Sequence, residues 1–199
     1  MKKFLFPLTL LPLLFTGCSS SKVSYVDPNS SRLIATTDSI NIQDFAQAAD
    51  AMTASLIDNL INQGRLKSSV EGEPALLAIS RIVNNTGEQV DIDLLVKKIR
   101  VALLRTGKVQ TSTTIAYGGP EDPLAKEQQD AREFLNGGKK PRLPDYTLSG
   151  KIIENRVKAG RVEQTSYIFQ LSLSSRDGIA VWEDERTIVK QGKRPSVGF

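Results

Sequence analysis

The chain has no histidine, one cysteine, one tryptophan and two methionines. Without imidazole there is no histidine base, no Ser-His or Cys-His nucleophile pair and no histidine ligand for a metal. One cysteine cannot form an internal disulfide. Nor is there a run of about 20 apolar residues, the length a membrane-crossing helix needs. The longest such run, residues 4–15, is interrupted by Pro7 and Pro12. Any chemistry is left to carboxylates, lysines and serines.

That short apolar run follows a cationic start, Met1-Lys2-Lys3, and so has the layout of an export signal. It ends in Phe15-Thr16-Gly17-Cys18, followed by a serine-rich stretch. The ending resembles the lipobox of bacterial lipoproteins, with Phe15 in place of the usual Leu. The resemblance implies cleavage after residue 17 and acyl chains on Cys18. Ser19, rather than Asp, follows the cysteine, which by the family's sorting rule implies the outer membrane with the protein facing the periplasm. One acyl chain binds only marginally, so multiple acylation is what makes the attachment lasting. The lone cysteine is therefore expected to be an anchor.

Charge gives little hint of a polyanionic partner. Lys and Arg number 26 against 22 Asp and Glu, and without Lys2 and Lys3 the excess of four falls to two, so no nucleic acid is expected as a partner. The basic stretch Lys190-Gln191-Gly192-Lys193-Arg194 reads as a solvated end.

Residues 19–38 are rich in Ser, Asn, Asp and Thr, with Pro28, and show no sustained period; they read as a tether. Fully extended, such a stretch reaches roughly 65–70 Å. Residues 39–193 have the length of one domain, and residues 194–199 form a tail.

The domain opens with a helix. Ile42, Phe45, Ala46, Ala49, Met52, Leu56, Ile57 and Leu60 recur at three-and-four spacing, Asn41 stands where an N-cap would, and Gly64 marks the end. Residues 75–84, apolar and rich in β-branched side chains, read as a buried strand. A second amphipathic helix carries Ile92, Leu95, Val96, Ile99, Ala102 and Leu103 on one face, between Asp91 as N-cap and Gly107. Residues 109–114 suggest another strand. A third helix is expected from Pro123, at a first helical turn, to Leu135.

From Asp145 the period changes from helical to alternating. Tyr167, Phe169, Leu171 and Leu173 share one face against Ser166, Gln170, Ser172 and Ser174, with turns at Ala159-Gly160-Arg161 and Asp177-Gly178. The expected class is α+β: a mostly antiparallel sheet with helices packed on one side, ending in a three-strand meander.

Three short motifs invite a catalytic reading. Ser19-x-x-Lys22 fits the Ser-x-x-Lys pattern of penicillin-interacting enzymes, but that serine needs a rigid helix and partner motifs, and here it lies in the tether. Glu183-Asp184-Glu185 offers carboxylates, yet neighbours on a strand point to opposite faces rather than across a cleft. Gly137-Gly138-Lys139-Lys140 lacks the preceding Gly and the following Ser or Thr of a phosphate-binding loop. No catalytic residue, cofactor or metal is assigned.

The signal and lipobox, followed by "IDLLVKKIRVALLRTGKV", "PDYTLSGKIIENRV" and "YIFQLSLSSRDGIAVWEDERTIVK", resemble the LpoB family of outer-membrane lipoproteins that activate penicillin-binding proteins. The resemblance covers residues 39–193 and rests on fold landmarks: residues 103–108, Asp145-Tyr146-x-Leu148-Ser149-Gly150, and Asp177-Gly178 with Val181-Trp182. It implies a non-enzymatic regulator of peptidoglycan synthesis whose partner is a class A penicillin-binding protein. Related domains in the Tol-system periplasmic protein and the curli-secretion lipoproteins share the architecture, which keeps open a structural or secretion-accessory lipoprotein. A cell-wall enzyme is the poorest reading. The tether is shorter than in better-known members. For partner binding the meander offers Tyr167 and Trp182 with Arg156, Arg161 and Arg186, although both rings also fit a core.

Overall fold

Capping chemistry sets the first boundary. The Asn41 side-chain oxygen accepts from the N–H groups of Gln43 and Asp44, both at 3.2 Å, while Asp44 Oδ2 accepts from Asn41 N–H at 2.8 Å. This reciprocal box starts helix α1, Ile42–Leu56, at the cap the sequence suggests. The computed structural model that shows it describes residues 39–138 and 140–193, with positions 26, 27, 30, 34 and 36. Cys18, the signal segment, most of residues 19–38 and the tail 194–199 lie outside the described residues. By internal contacts the chain divides into Met1–Leu33 and Ile34–Phe199, and every described helix and strand belongs to the second unit.

A π-helical turn, Ile57–Ile61, extends α1. It winds more slowly than an α-helix, and both Leu60 and Ile61 are buried along with Phe45, Ala48, Ala49, Met52 and Leu56. Strand β1, Ala75–Asn85, comes next, then helix α2, Ile92–Arg105, capped by Asp91. Strand β2, Val109–Ala116, leads to helix α3, Pro123–Leu135, whose cap Asp122 accepts from Ala125 N–H at 3.0 Å. The meander is β3, Tyr146–Ala159, β4, Val162–Ser175, and β5, Ala180–Lys193.

The five strands form one sheet in the order β2-β1-β3-β4-β5. β1 runs parallel to both β2 and β3, while β3-β4 and β4-β5 are antiparallel. The expectation of a mostly antiparallel sheet is thus corrected to a mixed one; the terminal meander stands. The reason is the crossover. A helix between two neighbouring strands returns the chain to the same end of the sheet, so α2 makes β1 and β2 parallel, and the β2-α3 excursion brings β3 in parallel on the other side of β1.

One face of this sheet is covered by α1 and α2. Leu148 and Ile152 of β3, Tyr167, Phe169, Leu171 and Leu173 of β4, and Trp182 of β5 form one buried cluster with Phe45, Met52 and Leu56 of α1 and with Leu95, Ile99 and Leu103 of α2. The alternation along β4 is the one the sequence suggests. α3 departs from the expected packing, because none of its residues is buried.

Two local features set the register. β1 carries an extra residue between Ile79 and Ile82, which pair with Leu148 and Gly150. The bulge places Ile79 and Ile82 both in the core and turns Arg81 outward. At Gly150, a Cβ would lie 2.3 Å from the Gln170 carbonyl oxygen and 2.7 Å from Leu171 Cδ2, so no side chain fits.

The entrance to β3 is pinned by Asp145. Its carboxylate accepts from the N–H groups of Ser69 (3.1 Å) and Leu76 (2.9 Å) and from Arg142 (2.5 Å) and Arg176 (3.2 Å), while its own N–H donates to Leu76 O at 2.7 Å. Burial opposes its ionisation, yet the hydrogen bonds from Leu76, Ser69 and Arg142 outweigh that and hold its pKa down to about 2. A carboxyl depressed on folding stabilises above its unfolded pKa of about 4, and that contribution is lost as pH falls toward 2. Asp145→Asn is therefore expected to lower stability by ~1–3 kcal/mol at neutral pH. In denaturant titrations the gap to the wild type should narrow between about pH 4 and 2; a gap independent of pH would contradict the assignment.

Candidate docking surface

The long β3-β4 hairpin carries the most promising exposed surface. Ala159 pairs with Val162 across a two-residue turn, Gly160-Arg161, in which Gly160 takes φ 59° and Arg161 does not need a positive φ. Glycine at the first central position is the type II′ arrangement that matches strand twist. On the uncovered face, neighbouring strands bring together Ile153 with Ile168, Asn155 with Ser166 and Val189, and Val157 with Gln164. Val157 and Val189 are more than half exposed. The result is a wet sheet face with a small apolar patch beside the turn.

On the covered side, the same end of the meander is tied by ions. Glu88, in the loop between β1 and α2, accepts from Ile40 N–H (2.9 Å), Arg156 Nη2 (3.0 Å) and the Tyr167 hydroxyl (3.0 Å). Glu154 accepts from Gly87 N–H (2.8 Å) and is paired with Arg156 Nε. Lys190 Nζ reaches Asp44 Oδ2 (2.5 Å) and Ser39 O (2.8 Å) and lies 5.7 Å from the Tyr167 ring centre. Burial, then the Glu88 hydrogen bond and charge, push the Tyr167 hydroxyl well above its ordinary pKa. Burial works against the charge on Glu154, but the Gly87 N–H and Arg156 prevail and hold it below the usual carboxylate range. The hydrogen bond to Glu154 raises Arg156, so this pair is charged on both sides at any physiological pH.

This geometry sorts the five candidates from the sequence. Tyr167 is fully buried and Trp182 nearly so, which corrects the reading of either ring as a contact residue. β4 and β5 turn these positions toward α1 and the core, where indole and phenol bury the largest apolar area. Arg156 is partly exposed and belongs to the Glu88 network, so it presents one edge to solvent. Arg161 stands exposed at the hairpin turn and makes no ion pair among the described residues. Arg186 is exposed, pairs with Asp184 at 3.4 Å and lies opposite Phe169, away from the turn. Arg156 and Arg161 share the hairpin; Arg186 does not join them. Cys18 lies outside the described residues.

Two features went unread in the sequence. Lys190 is no part of a solvated basic end: it follows Trp182, Asp184, Arg186 and Ile188 at alternate positions, which puts it on the helix side, with a side chain 11% exposed. A lysine in that alternation calls for a buried acid, and Asp44 supplies it. Arg100 is also buried, at the floor of a cleft of about 660 Å³ between β1, α2 and residues 117–121. Burial lowers its pKa; Glu121, also 2.9 Å from Lys97, pairs with it and fastens the loop over the cleft. No group of three acids, cysteines or histidines able to hold a metal occurs among the described residues.

The fold is a small α+β domain with one sheet face covered by helices and a charged hairpin at one end of its meander. The family model described as peptidoglycan-synthase activator LpoB matches residues 44–188, and this chain belongs to that family, one of regulatory activators rather than enzymes. Among solved structures, the C-terminal domain of LpoB from Escherichia coli is similar at 14% identity, with 73% of this chain and 98% of that one covered and a TM-score of 0.41. The solution structure of E. coli LpoB shares 15% identity over 94% of this chain and 89% of its own, with a TM-score of 0.39. The lipoprotein GNA1162 from Neisseria meningitidis shares 13% over 62% and 88%, with a TM-score of 0.33. No match was found among curated proteins.

Removing the Lys190 charge leaves the buried Asp44 carboxylate with the Asn41 N–H as its one hydrogen-bond donor among the described residues. Lys190→Met is expected to cost about 3 kcal/mol in chemical denaturation. A change below ~0.5 kcal/mol would show that the pair does not hold the end of β5 to α1.

Proposed function

We propose that this chain is an outer-membrane lipoprotein whose folded domain docks on a class A penicillin-binding protein and raises its rate of peptidoglycan synthesis. The observation that carries the proposal is the match of the activator family over residues 44–188. In this reading residues 1–17 are removed, acylated Cys18 holds the chain on the periplasmic side of the outer membrane, residues 18–38 are the tether, residues 39–193 are the domain and residues 194–199 a tail. Acting by contact is in keeping with a sequence without histidine, which offers no imidazole base, no Ser-His or Cys-His pair and no histidine metal ligand.

The hairpin supports a particular docking site. Arginines are among the side chains most often found at the energetic centre of interfaces, and a rigid two-residue turn presents Arg161 at little entropic cost. Arg156, braced by Glu88 and Glu154, adds a second guanidinium, and Val157 and Val189 supply apolar contact on the open face. Arg186 marks the outer limit of this surface. Tyr167 and Trp182 contribute from below, by fixing the strands that carry the arginines.

The test is a reconstituted reaction containing the cognate synthase, its lipid-linked substrate and the mature lipoprotein. The expected result is faster glycan polymerisation, with Arg161→Glu weakening the complex by about 10-fold while leaving the circular dichroism spectrum unchanged. Failure of the wild-type chain to form a complex at tens of micromolar would contradict the proposal.

A further inference from the structure

α3 is amphipathic the wrong way round for a helix of a soluble domain. Its large apolar side chains face outward, Ala125 alone of the small ones turning toward the domain: Phe134 is 84%, Leu135 78% and Leu124 62% exposed, and Ala131 between them is exposed as well. Leu124, Ala131 and Leu135, spaced seven and four apart, lie on one side of the helix, with Phe134 at its flank and the exposed Glu127 between Phe134 and Leu124. The polar side chains Gln129 and Glu133 are partly shielded instead, facing Thr114 and Pro141 around a gap of about 540 Å³. A helix packed on its own domain would show the reverse. Its caps are in order and no residue of it is buried, so the domain itself gives no reason for the apolar stripe.

Three coverings come into question. Crossing a membrane does not, because no helix among the described residues is long and apolar enough. A second copy is poorly matched: these four side chains offer on the order of 400 Å², about half of the ~800 Å² per partner in a stable interface. A lipid surface needs no such area from a chain already held there. A tether of about 20 residues keeps a domain within roughly 70 Å of its anchor, where the effective concentration of a second contact reaches about millimolar. At that concentration a weak interfacial contact is populated. The helix, about 20 Å long, can lie flat, and Glu127 and Asp130 limit its depth to the headgroup boundary.

We infer that α3 is a membrane-contact helix, which lays Leu124, Ala131, Phe134 and Leu135 into the surface of the bilayer that carries the acyl anchor. The inference rests on the anchoring of Cys18 proposed above. The attraction is apolar rather than ionic, because Lys126 is paired with Asp130 within the helix and acids outnumber bases from Asp122 to Asn136. Contact through α3 sets the domain down at its β2 edge, since α3 packs on β2. The β3-β4 hairpin, two and three strands along from β2, stays available.

The single cysteine makes the test direct. In the mature chain Cys18 is blocked by its thioether, so Phe134→Cys provides the one thiol for an environment-sensitive NBD label, with Asp177→Cys in the β4-β5 turn as reference. The labelled chains are placed in vesicles of phosphatidylcholine and phosphatidylethanolamine. The expected result is an emission at position 134 at least about twofold that at position 177, blue-shifted, quenched by acyl-chain bromine and insensitive to salt. A probe at position 134 as wet as the one at 177 overturns the inference. So does a signal that vanishes on dilution to one chain per vesicle, which assigns the covering to a second copy. Mass spectrometry of the same sample separates the two claims: an unacylated Cys18 defeats the anchoring and this inference together, whereas an acylated chain with a wet probe defeats this inference alone.

Discussion

The structure depends on the seating of β4 against α1. Tyr167, Phe169, Leu171 and Leu173 are placed on one face by the two-residue period of the strand, and Phe169 meets Phe45 edge-on with ring centres 5.9 Å apart. Each such fully buried side chain stabilises by about 1.5–3 kcal/mol, and as the fourth of five strands β4 is paired on both sides, so this face orders the meander as a unit. Once it is covered, the opposite face of the antiparallel strands is left to partly shielded or exposed side chains, Ile153, Ile168 and Val157 among them. The division between a dry side and a wet side of the meander follows from that alternation.

A second consequence concerns where the chain enters the domain. Ser39 and Ile40 are gripped by Lys190 and Glu88, which belong to the end of β5 and to the loop before α2. Those same side chains hold Asp44, Tyr167 and Arg156. Glu88 and Lys190 thus join Ser39 and Ile40, the start of α1 and the strands of the hairpin in one ionic network. Buried ion pairs contribute little net stability compared with apolar packing, but breaking one by removing a partner is costly, which suits them to fixing geometry. Here they fix the position of Arg156 relative to the turn at Gly160-Arg161.

Much of this was legible in the sequence wherever the signal was local. Asn41 and Asp91 announce helix starts because capping involves residues two or three apart, and Pro123 because its ring suits a first helical turn. The meander was legible because its strands alternate and its turns carry glycine. The parallel pairing of β1 was not, since which strands become neighbours is decided by a crossover of some twenty residues or more and leaves no mark on the strand itself. The buried charges were missed for a related reason: Lys190 and Arg100 look like surface residues until Asp44 and Glu121 are brought to them from elsewhere in the chain. The apolar residues of α3 were present in the sequence, but only the fold shows that they face away from it.

The central claim is that the free half of the meander is the working surface of a protein that acts by contact. It is tested most directly by hydrogen–deuterium exchange on the mature lipoprotein with and without its cognate class A synthase. The account requires slowed exchange along the β3-β4 hairpin, on both sides of Gly160-Arg161, with α1 and α2 unchanged. Protection confined to α1 and α2, or the absence of protection anywhere in the domain, would contradict it.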